Sequence, residues 1–542
     1  MRRPLSFLRA RFRCKFDIVA GNNNSGETQV AIHPYFFVVA AGLFPQLALA
    51  AEPGRIDSFF GTLNGYLASV IFYDVFPGEP VMPFIVAWLI VGAVYLTFRF
   101  SFVNLRMMRH GFRVLRGKYH TADDKGEVSS FQALTTALSA TVGLGNIAGV
   151  AIAISIGGPG ATFWMIVAGF LGMTTKFTEA TLAQRYREVR PDGRIMGGPM
   201  EYLSKGFAEF NWPRTGKVLA GMFAIFTVLG SFGAGSAFQV SQSLGAVQEL
   251  FPFFHEVPIA YGLIMGLAVG VVIMGLAVGV VIIGGLRRIA HTAEAVVPTM
   301  ILVYLAACLW IVLGNVEQVP QALAKIVTEA FAPIAVAGGM VGALVQGFKR
   351  AAFSSEAGLG SAAIVHSTAS VKYPIRQGMV ALYEPFIDTI VICTMTALVI
   401  IITGVYSDPA TLAIREASKG AALTSVAFAT VSDWFPIILT VSVVLFAYST
   451  MISWSYYGER CWAYLFGERL SMVYRVLFLL FIVVASVASA ANMLDFTDLL
   501  VLAMAFPNLL GLYLLSGKVR AMLTDYQDKL KSGELDREKQ AG

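Results

Sequence analysis

The chain has 542 residues, of which 56% are hydrophobic and only 14% charged. That balance excludes a soluble enzyme and describes an all-α polytopic membrane protein. The formal charge of +6 does not speak for nucleic acid, because the basic residues fall in loops between apolar spans. Cys14, Cys308, Cys393 and Cys461 stand far apart, without metal or redox spacing. No phosphate loop, zinc signature or nucleophile elbow occurs, so neither an organic cofactor nor ATP-driven transport by this chain is expected.

Residues 1–50 read as a signal-peptide-like targeting segment. Arg2, Arg3, Arg9, Arg11, Arg13 and Lys15 precede the short apolar run Tyr35–Leu47, and Ala48-Leu49-Ala50 fits a small-x-small cleavage site. An uncleaved N-terminal helix is the alternative. Residues 51–79 follow as an external segment, and residues 80–516 as the transmembrane domain. Within it eleven apolar spans are expected, near 80–99, 131–155, 161–184, 218–249, 258–285, 293–314, 333–363, 377–403, 431–455, 474–491 and 497–516. Loops 99–130 and 185–217 each carry seven Lys or Arg, whereas the loops of opposite sidedness carry only Arg55, Lys325, Arg415 and Lys419. The positive-inside rule then puts the N-terminus outside and the basic tail, 517–542, in the cytoplasm as a solvated end. A bacterial inner membrane suits this arrangement, with no obligate protein partner implied.

The second span contains Leu138–Ala151, LSATVGLGNIAGVA, with Gly143, Gly145 and Gly149 around Asn146. Glycine costs a helix interior about 1 kcal/mol relative to alanine, and a break at bilayer depth frees backbone groups that must be satisfied. Ser355–Ala362, SEAGLGSA, repeats the pattern in the seventh span. After one extra helix, spans two to six and seven to eleven form two sets of five, each opening on a broken helix. An odd number per set inverts the second, and paired glycine-interrupted spans point to a transporter binding site.

Ile264–Val272, IMGLAVGVV, is repeated without change as Ile273–Val281. Nine residues add about 13.5 Å to a helix and turn its face by about half a revolution. The extra length is expected to emerge as an over-long or kinked helix end.

GGPGATFWM (Gly157–Met165), GGPMEYL (Gly197–Leu203), FSSEAGLGSA (Phe353–Ala362), FIDTIVICT (Phe386–Thr394) and FAYSTMISWSYYGE (Phe446–Glu459) resemble the alanine or glycine:cation symporter family over about residues 60 to 516. The resemblance implies a LeuT-type inverted-repeat fold and Na⁺-coupled uptake of alanine or glycine, with Na⁺ as coupling ion. A zwitterionic substrate needs a partner for each charge. Half-helix N–H groups at Gly143, Leu144, Gly145 and Asn146 suit the carboxylate, and unwound carbonyls near Gly358 and Gly360 suit the ammonium. By resemblance, the carbonyls of Ser139 and Val142 and the hydroxyls of Ser449 and Thr450 are candidates for Na⁺, unless the hydroxyls bond back to their own helix. Trp454, four residues after Thr450, is expected to shorten the pocket, with an interfacial tryptophan as the alternative. Gln239 is expected to be a pocket residue. Among the charges within spans, spacing suggests the pairs Lys176–Glu179 and Glu384–Asp388, and Glu356 with Lys349 or Arg350. A proton-coupled carrier on the same fold stays open as a second reading, and a channel or membrane sensor as a third.

Overall fold

The computed structural model describes residues 53–74, 81–120, 124–191, 193–278, 285–332 and 339–535. The targeting segment and residues 279–284, which include the end of the second repeat copy, lie outside them.

Among the described residues the regular elements are helices, apart from a short antiparallel hairpin, β1 (Glu188–Val189) and β2 (Ile195–Met196), in a polar loop. The first helices are α1 (Pro53–Ile71), α2 (Phe84–Arg99), α3 (Met108–Leu115) and α4 (Ser130–Thr141). A capping box starts α4: Ser129 Oγ accepts from Gln132 N and Gln132 Oε1 from Ser129 N, both at 3.1 Å. After residues 142–144 a π-helical segment, Gly145–Gly149, leads into α5 (Val150–Gly157). Helices on either side of this break are bent by 53°, and together they are long and apolar enough to cross a membrane.

Next come α6 (Gly160–Tyr186), α7 (Pro199–Ala208) and α8 (Pro213–Phe232), which passes through a second π-helical segment, Gly233–Ala237, into α9 (Phe238–Leu250). Then follow α10 (Pro258–Val278), α11 (Gly285–Gly314), α12 (Gly339–Ser355) and the single turn α13 (Ala363–His366). Helix α14 (Pro374–Ala381) leads through a third π-helical segment, Phe386–Cys393, into α15 (Thr394–Thr403). The last helices are α16 (Gly420–Ala429), α17 (Phe435–Phe466), α18 (Ser471–Ala485), α19 (Ala490–Ala503) and α20 (Ala505–Lys531).

Among the described residues, five continuous helical runs are long and apolar enough to span a membrane, and the bent pair makes a sixth. Helix α6 is long enough but less apolar, because it carries Lys176 and Glu179. Both are buried among α12 and α14 and need no lipid contact. Helix α10 takes in the first repeat copy and six residues of the second, 21 residues in all. That is about 31 Å, a hydrocarbon core's width. The expected over-long end falls on residues outside the described set.

The tail reads differently in three dimensions. Residues 517–531 continue α20 and bury Val519, Leu523 and Tyr526. The Tyr526 hydroxyl lies 2.9 Å from His110 Nε2 on α3 and accepts from Arg376 Nε on α14 at 3.3 Å. A basic composition hid this apolar stripe, so the segment is packed along its first half and is not a wholly solvated end.

Candidate functional site

The break between α4 and α5 is held by side-chain amides. Asn146 Oδ1 accepts from Gly143 N at 3.0 Å, and Gln239 Oε1 accepts from Leu144 N at 3.3 Å. Gln239 Nε2 donates to Ala234 O at 3.0 Å, so the residue bridges the break and the second π-helical segment. Asn146 Nδ2 donates to Asp388 Oδ1 at 2.7 Å and to Asp388 O at 3.0 Å, on the third π-helical segment. The first and third π-helical segments thus meet directly, and Gln239 ties the second to the break. Such segments widen the helix by a residue and concentrate at functional sites.

Asp388 is fully buried, and its other oxygen accepts from Ser354 Oγ (2.7 Å) and Thr389 Oγ1 (2.8 Å). Three side-chain donors thus satisfy the two oxygens of one buried carboxyl group. Ser354 lies in the last turn of α12, and the Phe353 ring beside it packs on Gly145, where an added Cβ would lie 3.3 Å from the ring. Phe353 also meets Phe238 edge to face at 4.8 Å between centroids.

On the other side of Gly143 lies a group of oxygens. Thr450 Oγ1 donates to Ser139 O at 3.1 Å, and Ser453 Oγ donates to Ser139 Oγ at 2.9 Å. An added Cβ on Gly143 would stand 2.5 Å from Thr450 Oγ1 and 3.4 Å from Gln239 Oε1. The structure therefore brings together Ser139, Val142, Gly143, Leu144, Gly145, Asn146, Gln239 and Thr450. Hard oxygen donors of this type suit an alkali cation.

Other expected site residues lie differently. Ser449 Oγ bonds back to Phe446 O at 3.1 Å, while its carbonyl accepts from Ser139 Oγ at 3.2 Å. Its hydroxyl place beside Ser139 is taken by Ser453, one helical turn after Thr450. Trp454 is buried against the second π-helical segment, where an added Cβ on Gly235 would lie 2.6 Å from its own Cβ. Its ring continues towards Gly230 and Tyr457. The indole supports the turn that aims Gln239 and is not brought against Gly143 by any described contact.

At the second break, Gly358 and Gly360 have φ of +91° and +84°. Gly358 N donates to Glu179 Oε1 at 3.0 Å, and Gly358 O accepts from Asn508 Nδ2 at 2.8 Å. An added Cβ on Gly360 would meet Pro199 and Asn508. These glycines serve packing against α6, α7 and α20. The part of this region that reaches the first break is Phe353–Ser354.

The charges pair otherwise than spacing suggests. Lys176 Nζ binds Glu384 Oε1 at 2.9 Å, and Glu384 Oε2 lies 3.1 Å from His366 Nε2. Lys349 Nζ reaches Asp498 Oδ2 at 2.8 Å and Arg350 binds the same oxygen, while Glu356 accepts from Ser361 Oγ. Sequence reasoning missed Ser354, Thr389 and Ser453 as site residues. It treated Asp388 as a helix-pair charge, although its place within FIDTIVICT was a usable signal.

The sodium:alanine symporter family matches residues 72–540. The chain belongs to this family. It is 38% identical to the sodium/alanine symporter AgcS of Methanococcus maripaludis, over 81% of this chain and 92% of that protein. It is 35% identical to the probable sodium/glutamine symporter GlnT of Bacillus subtilis, over 83% and 89%. Among solved structures, MhsT in complex with L-phenylalanine aligns at 15% identity over 72% of this chain and 89% of that one, with a TM-score of 0.49. This member of the sodium:alanine symporter family is a multi-pass, cation-coupled amino-acid transporter and not an enzyme.

Proposed function

We propose that the protein is a secondary active transporter that couples inward Na⁺ flow to uptake of a small neutral amino acid, alanine or glycine. The observation that carries this reading is the pairing of Gly143 and Leu144 N–H groups with an oxygen cluster one residue's width away. Backbone amides at a half-helix start suit a carboxylate. The carbonyls of Ser139 and Val142, with the hydroxyls of Thr450 and Ser453, would hold the Na⁺. Asp388, on the far side of Asn146, orients the amide that caps Gly143. The working orientation has the C-terminus cytoplasmic, in a bacterial inner membrane.

The driving force is sufficient. About 100 mV contributes ~2.3 kcal/mol per charge and a tenfold Na⁺ gradient ~1.4 kcal/mol. Together they support roughly 500-fold accumulation at one ion per substrate.

The test is uptake of labelled alanine, glycine and glutamine into proteoliposomes, under an inward Na⁺ gradient or an inward proton gradient without Na⁺. Alanine or glycine accumulation under Na⁺ alone supports the reading. Accumulation driven by protons without Na⁺, or of glutamine alone, overturns it.

A further inference from the structure

The helix that carries Gln239 also forms one wall of an open cavity of about 460 Å³. Ser241 and Gln248 of α9 line it, with Lys419 just before α16, Ser489 just before α19 and Asp57 on α1. Ser241 is two residues beyond Gln239 and so lies on the opposite face of the same helix, which makes α9 the wall between the cavity and the amide cap of the break. Its far wall is tied to the same helix: Gln242 Nε2 donates to Ser418 O at 2.9 Å, and Gln242 Oε1 accepts from Ala421 N at 3.4 Å.

Two opposite charges, Lys419 and Asp57, line this space. Lys419 has no ion-pair partner among the described residues, and neither has Asp57. Asp57 is fixed in place, because Oδ1 accepts from Ser489 N at 2.9 Å and from Asn492 Nδ2 at 2.8 Å. Partial burial raises its pKa, but the bonds from Asn492 and Ser489 outweigh that and hold the carboxyl below its ordinary value. It is therefore ionised at neutral pH.

We propose that this cavity is an outer reception site for zwitterionic α-amino acids, in which Lys419 takes the carboxylate and Asp57 the ammonium before the substrate moves on to Gly143. The inference rests on the amino-acid transport reading. A site for an anion or a cation alone needs one sign of charge. A fixed anion and an unpaired cation lining one open space match a ligand that carries both.

The test measures KM and kcat for labelled alanine uptake in proteoliposomes, for the full chain and for Asp57→Asn, Lys419→Met, Lys419→Arg and the double Asp57→Asn/Lys419→Met. The Asp57→Asn amide would keep an oxygen for Ser489 and Asn492, and the Lys419 ammonium supports nothing else, so the fold is preserved. Each charge removal is expected to raise KM roughly two- to fivefold, the range of a half-exposed ion pair, with kcat unchanged. Lys419→Arg is expected to keep the original KM. Unchanged KM in the double variant, with normal transport by the full chain, overturns the reception site alone. A shift in Na⁺ half-saturation without a shift in alanine KM overturns it in favour of a cation at Asp57. If the full chain takes up no zwitterionic amino acid, the transport reading and the reception site both fail.

Discussion

Replacing Gly143 by alanine tests whether the break and the oxygen cluster work as one unit. The added Cβ would stand 2.5 Å from Thr450 Oγ1 and 3.4 Å from Gln239 Oε1. Carbon and oxygen do not rest so close, so Thr450 must withdraw by several tenths of an ångström. Its hydrogen bond to Ser139 O, 3.1 Å long, is then lost, and the oxygens proposed for the cation spread apart. A stranded buried acceptor costs about 1–3 kcal/mol and overpacking a similar amount. Part of that strain falls equally on the cation-free protein, leaving about 1–2 kcal/mol against the loaded state. Na⁺ half-saturation for alanine uptake should therefore rise about 5- to 30-fold. The same change placed on Thr450→Ala meets no hydroxyl, and should add less than about 0.5 kcal/mol to the effect of Thr450→Ala alone. The assay is a Na⁺ titration of uptake in proteoliposomes for the two single variants and the double. Unaltered Na⁺ dependence in Gly143→Ala, or full additivity with Thr450→Ala, would refute the coupling.

Asp388→Asn leaves one acceptor oxygen for donors on Asn146, Ser354 and Thr389, a loss of about 1–3 kcal/mol. Transport should fall at least tenfold in the proteoliposome assay while gel filtration still shows folded protein. Arg350→Met leaves Asp498 paired with Lys349, so it should destabilise by less than the roughly 3–5 kcal/mol of a fully stranded buried charge, whereas Arg350→Met with Lys349→Met strands Asp498 and should reach that range in thermal melts. Trp454→Leu should lower the melting temperature through the lost indole packing, and alanine KM should change with Gln239's support while larger side chains stay excluded. Deletion of Ile273–Val281 leaves one repeat copy, and the product should be at least as stable and active as the full chain by melting and uptake. Loss of folding in that deletion would show that the second copy has become part of the packing.

The first break was legible because glycine is costly in a helix and three of them, at 143, 145 and 149, surround one polar residue. Gln239 was legible for a related reason, as a polar side chain at bilayer depth. The second and third π-helical segments were not. Phe386–Cys393 has a composition that an ordinary helix accepts, and the two glycines of Gly233–Ala237 have no polar neighbour in that segment but Ser236, so only tertiary contacts reveal the widened turns. That widening also undid the spacing argument for Glu384 and Asp388. Four positions apart share a face in an α-helix, but across a π-helical start they turn to different neighbours, one to Lys176 and one to Asn146. Lys176 illustrates a second limit. Its buried ammonium selected a carboxylate 208 positions away over Glu179 three positions away, because a buried charge pair needs close geometry that neighbouring turns did not offer. Trp454 shows a third, since sharing a face with Thr450 does not fix where a long side chain ends.

The amide hydrogens of Gly143 and Leu144 are held by the side-chain carbonyl oxygens of Asn146 and Gln239, so at the proposed site arrival of a carboxylate would be a substitution rather than a capture. Each amide trades a neutral acceptor worth about 0.5–1.5 kcal/mol for a charged one worth about 1.5–3, and only the difference reaches the dissociation constant. Release runs the same trade backwards, with the two side chains ready to reclaim the backbone as cargo leaves. A carrier that worked in this way would never pass through a form with bare amides in the membrane interior, and would hold its cargo loosely enough to let it go on the far side.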